Sequence, residues 1–65
     1  MRWQELRQTQ LLTPEEVASI LKLGKSTIYQ MVKRGEIPHI LINHSVRIPA
    51  NALQKWIEER ISLPS

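Results

Sequence analysis

The chain is short: its 65 residues include no cysteine and carry a formal net charge of +3. A chain of this length forms one domain and buries only about 60% of the surface that its unfolded form exposes, which leaves no room for a catalytic cleft. Without cysteine there is neither a disulfide framework nor a thiolate metal site. No apolar run is long enough for a membrane helix or a signal peptide. The composition therefore predicts a small cytoplasmic protein that is not an enzyme and has no membrane segment.

The positive charge is concentrated in the middle of the chain. Residues 1–21 carry a net charge of −1, and residues 48–65 are neutral overall. Residues 22–47 contain five basic residues and one acidic residue, which gives this segment a net charge of +4. Because clustered basic side chains attract polyanions, we expect this middle segment to meet one.

A first short helix is predicted to begin after Thr13. Thr13 suits the cap, Pro14 suits the first helical position, and the Glu16 side chain can reach back to the cap amide. The apolar face that follows consists of Val17, Ala18, Ile20 and Leu21. The pattern stops near residues 22–24, so the helix is only two to three turns long.

A second helix is predicted between Gly24, which tolerates the N-cap position, and Gly35, which is free to take a positive φ. Ile28, Met31 and Val32 form its inward stripe. Its other face is polar throughout and consists of Lys25, Ser26, Thr27, Tyr29, Gln30 and Lys33. This helix therefore presents one apolar face to a core and one polar face to solvent or a ligand.

Residues 39–48 are predicted to form a β-hairpin, because they are rich in β-branched side chains. A two-residue loop would pair Ile40 with Arg47 and mix polar with apolar groups on both faces. A three-residue loop would pair Ile40 with Ile48. It would also pair Ile42 with Val46, which leaves one face wholly apolar and Arg47 pointing outward beside Leu41. The three-residue loop is the preferred register.

Pro49 is predicted to open a third helix. Its apolar side closes the core and consists of Leu53, Trp56, Ile57 and Ile61. The expected organisation is an N-terminal extension at residues 1–10, either helical or loosely ordered. A single domain follows at residues 11–62, with a short tail at residues 63–65.

Two short helices joined by a tight turn are typical of a helix-turn-helix. Ala18 lets the two helices approach, and Ile28, ten positions later, anchors the second helix. The sequence therefore predicts an α+β, mostly α fold. It is a winged helix-turn-helix with two short helices, a two-stranded β-hairpin wing and a C-terminal helix.

The polar face of the second helix is the expected DNA reader in the major groove. The candidate contacts are Lys25, Ser26, Thr27, Tyr29, Gln30, Lys33 and Arg34. Gln30 suits adenine and Thr27 suits a thymine methyl group. Tyr29 has an alternative interpretation as an aromatic at the edge of the core. In the wing, the candidate minor-groove contacts are Asn43, His44, Ser45 and Arg47.

The two histidines do not indicate a metal site. His39 and His44 have no cysteine and no nearby carboxylate to complete a tetrahedral ligand set. No nucleophile, base and orienting group can be assembled from these residues, so no catalytic site is predicted. We expect no metal and no cofactor.

Five sequence blocks occur in a characteristic order: LTPEEVA (12–18), STIY (26–29), GEIP (35–38), VRI (46–48) and LQKWI (53–57). Together they resemble the excisionase family of small MerR-like winged-helix DNA-binding proteins, over residues 11–61. The resemblance implies a phage or mobile-element protein that binds tandem DNA sites side by side, bends the DNA and directs a tyrosine integrase toward excision. It assigns DNA contacts to Lys25, Ser26, Thr27, Tyr29 and the wing residue Arg47.

The chain departs from the family pattern at several positions. Lys22 stands where the turn glycine is usual, and Gly24 stands where a capping serine is usual. Gln30 replaces a common arginine, which trades a phosphate or guanine contact for adenine reading. Asn43 and His44 replace the glycine pair of the wing tip.

Three functions are compatible with the sequence. The first is an excisionase, that is, a recombination directionality factor. The second is a transcriptional regulator of the same fold. The third is an adaptor for protein interactions that has lost DNA binding, and the charge of residues 22–47 argues against it.

Overall fold

The computed structural model describes residues 10–62, which form three helices and a small antiparallel sheet. The elements in chain order are β1 (Leu11–Leu12), α1 (Pro14–Leu21), α2 (Lys25–Lys33), β2 (Ile40–Ile42), β3 (Ser45–Pro49) and α3 (Ala50–Glu59). The mostly α winged helix-turn-helix is therefore confirmed. The predicted N-terminal extension and the tail lie outside the described residues, apart from Gln10.

The first helix begins with the capping box that the sequence predicts. The Glu16 amide donates a 3.1 Å hydrogen bond to Thr13 Oγ1. In return, the Thr13 amide donates a 3.0 Å hydrogen bond to Glu16 Oε1. These two bonds satisfy donors that a helix start otherwise leaves unpaired, and they fix where α1 begins.

The turn between α1 and α2 keeps a left-handed residue although no glycine stands there. Lys22 is the C-cap of α1 and has φ 60° and ψ 40°. The following amide, that of Leu23, donates a 2.9 Å bond to the Ala18 carbonyl and closes the helix end. Gly24 is the N-cap of α2 and makes no side-chain cap bond. The departure at Lys22 therefore leaves the turn in place at the cost of an unfavourable conformation for an L-residue.

The sheet contains a strand that the sequence analysis missed. β1 pairs antiparallel with β3, with Leu11 opposite Pro49 and Leu12 opposite Ile48. The strand order is β1-β3-β2, so β3 is central and β2 is an edge strand. The Ala50 amide adds a 2.7 Å bond to the Gln10 carbonyl. The wing is thus anchored to the residues that lead into α1.

The predicted hairpin register is wrong. The structure has the two-residue loop, with the pairs Ile40↔Arg47, Leu41↔Val46 and Ile42↔Ser45. Asn43, the first loop residue, has φ 55°, a left-handed conformation that asparagine tolerates and that tight hairpin loops use. All three residues of β2 are exposed. Because no side chain of β2 is buried, the hydrophobic effect does not favour the three-residue-loop register, which would have aligned the apolar residues on one face.

Directly opposed residues share a face of a sheet, so the register decides which side chains lie together. Leu12, Ile48, Val46 and Leu41 lie on the face that carries the core. Arg47 lies on the other face with Ile40, not beside Leu41 as predicted. Ile40 and Leu41 are nevertheless both exposed, at 40% and 65%, because β2 is an edge strand that contributes nothing to the buried core.

The core is made by residues from every element except β2, together with one loop residue. Its buried members are Leu12, Val17, Ala18, Ile28, Ile37, Ile48 and Leu53. Ile20 and Ile61, which the sequence placed on apolar faces, are 52% and 59% exposed. Ile61 also lies beyond the last residue of α3. Trp56 is half-buried against this core, as its position in the third helix predicts. No helix within residues 10–62 has the length and apolar character to span a bilayer.

Candidate nucleic-acid interface

The polar face of α2 is open to solvent along its whole length. Ile28 is fully buried and fixes which side of the helix faces the core. The residues predicted to read DNA are all exposed: Lys25, Ser26, Thr27, Tyr29, Gln30, Lys33 and Arg34. All seven side chains are therefore accessible to a ligand that approaches α2 from the solvent.

Tyr29 is held at the surface by a partner on the first helix. Its side chain is 46% exposed, so it is not a core aromatic. The Tyr29 hydroxyl donates a 2.6 Å hydrogen bond to Glu15 Oε2. This bond is the largest cause of a lowered pKa at Glu15, and it raises the pKa of Tyr29. Glu15 and Tyr29 therefore act as one polar unit that joins α1 to α2.

Arg47 lies in β3, the wing strand that packs against α1. Its side chain is half-buried, and its Nη1 donates a 2.7 Å bond to the Val46 carbonyl. The positive charge of Arg47 favours the ionised forms of both Glu15 and Tyr29: it adds slightly to the lowering of the Glu15 pKa, and it offsets a small part of the rise in the Tyr29 pKa that the bond to Glu15 causes. Lys25 lowers the pKa of Glu15 in the same way. Two positive charges, one from α2 and one from the wing strand, therefore act on the Glu15 carboxylate.

The sequence analysis missed Glu15 as a member of this surface. In the sequence, Glu15 is an acidic residue in the first turn of a helix, where a negative charge is favourable for the helix dipole alone. Its partner Tyr29 lies fourteen residues away on another helix. No local sequence pattern predicts a contact between Glu15 and Tyr29, because the packing of α1 against α2 brings the two side chains together.

The wing tip carries the predicted polar residues in a shorter loop. Asn43 and His44 form the loop and are exposed. Ser45 is exposed too, but it is the first residue of β3 and not a loop residue. Leu41, beside the tip, is 65% exposed. The tip is therefore narrow, and Arg47 lies at the base of the wing.

The far end of α2 is tied to α3 through Trp56. The Trp56 indole donates a 2.9 Å bond to the Glu36 carbonyl, and the Arg60 guanidinium lies 4.0 Å from the ring centroid. The Glu36 carboxylate lies 3.9 Å from Arg34 and partly offsets its charge. These contacts hold the segment that follows α2 against the third helix.

Histidine and carboxylate side chains do not cluster within residues 10–62: no group of three or more has metal-binding proximity there. The Nδ1 atom of His39 lies 2.9 Å from the Ile37 carbonyl oxygen, an arrangement that occupies one ring nitrogen locally.

Known helix-turn-helix proteins are similar to this chain over most of its length. The family described as "Helix-turn-helix domain" matches residues 11–61. The protein named "Excisionase" from Streptomyces ambofaciens is 31% identical over 52 residues, which cover 80% of this chain and 84% of that protein. The chain belongs to the excisionase family of helix-turn-helix DNA-binding proteins.

Other relatives of this excisionase-family chain differ in length. A protein of Mycobacterium tuberculosis named "Putative DNA-binding protein" is 39% identical over 51 residues, 78% of this chain. This chain covers only 65% of that relative. "Uncharacterized protein YvgK" of Bacillus subtilis is 31% identical over 51 residues, and the chain covers 17% of it. No solved structure matches this excisionase-family chain.

Proposed function

We propose that the protein is an excisionase that binds tandem DNA sites next to an attachment site, bends the duplex and promotes excision by a tyrosine integrase. Its recognition helix α2 enters the major groove, and the wing approaches the neighbouring minor groove. The reading residues are the seven exposed polar side chains of α2 and its C-cap. Asn43, His44 and Ser45 supply the wing contacts, together with Arg47.

One arrangement carries this proposal: the first helix contacts both elements that would touch DNA. Its Glu15 accepts a hydrogen bond from Tyr29 of α2, and α1 also packs against the wing strand β3, which supports a surface shared by the wing and the reading helix. A duplex that contacts α2 therefore meets the wing without any rearrangement. A wing on the opposite side would be incompatible with simultaneous contact to two adjacent grooves.

The charge distribution supports a phosphate-dominated interaction. Residues 22–47 carry a net charge of +4, and neutralising about four phosphates gives a dependence of log K on log salt with a slope of about −3.6. A single module of this size buries about 600–1,000 Å² of its surface on DNA, so one copy binds weakly. Weak single-site binding favours the use of several adjacent sites.

The first experiment measures DNA affinity by gel shift on attachment-site DNA at several salt concentrations. Lys25→Ala and Arg47→Ala should each weaken binding and reduce the magnitude of the salt slope by about 0.9. Lys55→Ala is the matched control, because Lys55 is exposed on α3 and lies outside the proposed surface. Unchanged affinity in both Lys25→Ala and Arg47→Ala would remove the proposed footprint.

A second experiment separates the excisionase from a transcriptional regulator of the same fold. An excision reaction containing the cognate integrase, attachment-site DNA and this protein should produce the excised circle, and Lys25→Ala should reduce the yield. Footprints confined to a promoter, with no effect of the protein on excision, would assign the regulatory function instead.

A further inference from the structure

The hydroxyl of Tyr29 uses its one hydrogen in a bond to Glu15 and can only accept from any further partner. A phenol has one donor and can also accept, and the donor is used in the 2.6 Å bond to Glu15 Oε2. Short bonds from a hydroxyl to a carboxylate are charge-assisted and stronger than bonds between neutral groups. What Tyr29 offers to a ligand in this state is therefore an acceptor, not a donor.

The second feature of this position is its charge. Glu15 is exposed and places a carboxylate next to the Tyr29 hydroxyl, on a surface where Lys25 and Arg47 otherwise supply positive charge. A phosphate oxygen at the hydroxyl would find no free donor there and would meet a like charge at short range. The unit therefore disfavours phosphate and favours a group that donates hydrogen bonds.

Glu15 is not committed to helix capping. The capping box of α1 uses Glu16 and Thr13, so the neighbouring carboxylate of Glu15 is free to serve Tyr29. An ionised carboxylate has about four acceptor sites, so capacity remains beside the bonds from the Tyr29 hydroxyl and from the backbone of Glu15 itself. Two acceptors, the Glu15 carboxylate on α1 and the Tyr29 hydroxyl oxygen on α2, thus lie side by side.

We propose that Glu15 and Tyr29 form an acceptor pair that reads an exocyclic amine, cytosine N4 or adenine N6, in the major groove. The proposal rests on the proposed DNA-binding function and adds a specificity-determining residue to it. Exocyclic amines are the only base-edge donors in the major groove, and carboxylates accept from cytosine N4. Glu15 thereby makes Tyr29 a base reader instead of a phosphate anchor.

The test begins with selection from a double-stranded DNA library with a randomised core. The enriched site and all its single-base variants are then measured with the wild-type chain, Glu15→Gln and Tyr29→Phe. We expect one base pair at which the wild type prefers an amine by about tenfold, within the range for a good base contact. Both variants should lose the preference at that base pair and keep it at the others.

Glu16→Gln is the matched control. It removes the same charge one residue away, and glutamine keeps the capping box. Glu15→Gln and Glu16→Gln should both raise affinity for random DNA, because each removes a negative charge. Only Glu15→Gln should relax the preference at the amine. Base analogues give an independent readout: 2-aminopurine for adenine or a 2-pyrimidinone for cytosine should weaken wild-type binding about tenfold and leave Tyr29→Phe unaffected.

Two results would overturn this assignment. If Tyr29→Phe weakens binding equally on every DNA sequence, the hydroxyl is a phosphate contact. If both variants keep every base preference, the pair reads nothing. Failure of the proposed function itself looks different: the wild-type chain then enriches no site, and Lys25→Ala and Arg47→Ala have no effect on its DNA binding.

Discussion

The Tyr29 hydroxyl donates a 2.6 Å hydrogen bond to the Glu15 carboxylate and so joins the two helices of the helix-turn-helix at their exposed side. The helices are otherwise held together from within, by Val17 and Ala18 of α1 packed in one core with Ile28 of α2. The wing strand β3 packs against α1, the helix that carries Glu15. The first helix therefore contacts both α2 and the wing, the two elements that the DNA-binding proposal uses.

This bond makes stability depend on pH in a definite direction. Folding lowers the pKa of Glu15, chiefly through the Tyr29 bond, below an ordinary value of 4.5. Its contribution is complete above that value and is lost as the pH falls through the lowered pKa. Folding raises the pKa of Tyr29 above 10.0, so that contribution is complete below pH 10.0 and is lost as the pH rises through the raised pKa. Urea unfolding at a series of pH values should show both losses in the wild type.

Tyr29→Phe is the variant that isolates this effect. It removes the alkaline loss and reduces the acid loss, since Glu15 then has no hydroxyl partner. Thr13→Ala serves for comparison, because it weakens the start of α1 without touching the pair. An acid loss of equal size in the wild type and Tyr29→Phe would show that the hydroxyl does not stabilise the ionised carboxylate.

Lys22 offers a stabilising substitution in the turn. It has a positive φ of 60°, and a left-handed conformation costs an L-residue about 1–2 kcal/mol. Lys22→Gly should raise the free energy of unfolding by about 1 kcal/mol, after the greater flexibility of glycine in the unfolded chain is allowed for. In a domain of this size, that corresponds to an increase in Tm of about 5 °C. Lys22→Ala removes the same charge but keeps the strain, so it should give no comparable gain.

The elements that the sequence predicted well are those with local signals. The capping box places the start of α1, and Gly24 and Gly35 bracket α2. β1 was missed because two residues are too few for a periodic pattern. A local signal did exist for the burial of Leu12, though not for its pairing as a strand. Leu12 directly precedes the cap residue and Val17 is the fourth helical residue, the positions of a hydrophobic staple. The Glu15 to Tyr29 bond and the hairpin register depend on packing and loop geometry, which neither spacing nor hydrophobicity encodes here.

The core offers a comparison between an interpretation from sequence and one from structure. Helical spacing placed both Ile20 and Ile28 on inward faces, but Ile28 is fully buried and Ile20 is 52% exposed. Ile28→Val should therefore lower the free energy of unfolding by about 1 kcal/mol, through lost burial and a small cavity. Ile20→Val should change it by less than about 0.5 kcal/mol, as exposed substitutions usually do. Equal losses in urea unfolding would mean that Ile20 is buried in solution.

The hairpin register can be tested directly by NMR. In the two-residue-loop register, Leu41 lies opposite Val46, so their α-protons should give a strong inter-strand NOE. In the three-residue-loop register, Val46 would lie opposite Ile42 instead. The choice affects the interface, because slipping the register by one residue turns the residues of β2 to the opposite face.

Asn43→Gly adds an independent check: it should preserve the hairpin, since Asn43 has φ 55° and glycine adopts that conformation freely. Asn43→Val should destabilise the hairpin, because a β-branched residue is strained at positive φ. An NOE pattern that pairs Ile42 with Val46 would return Arg47 to the side of Leu41 and separate it from Ile40.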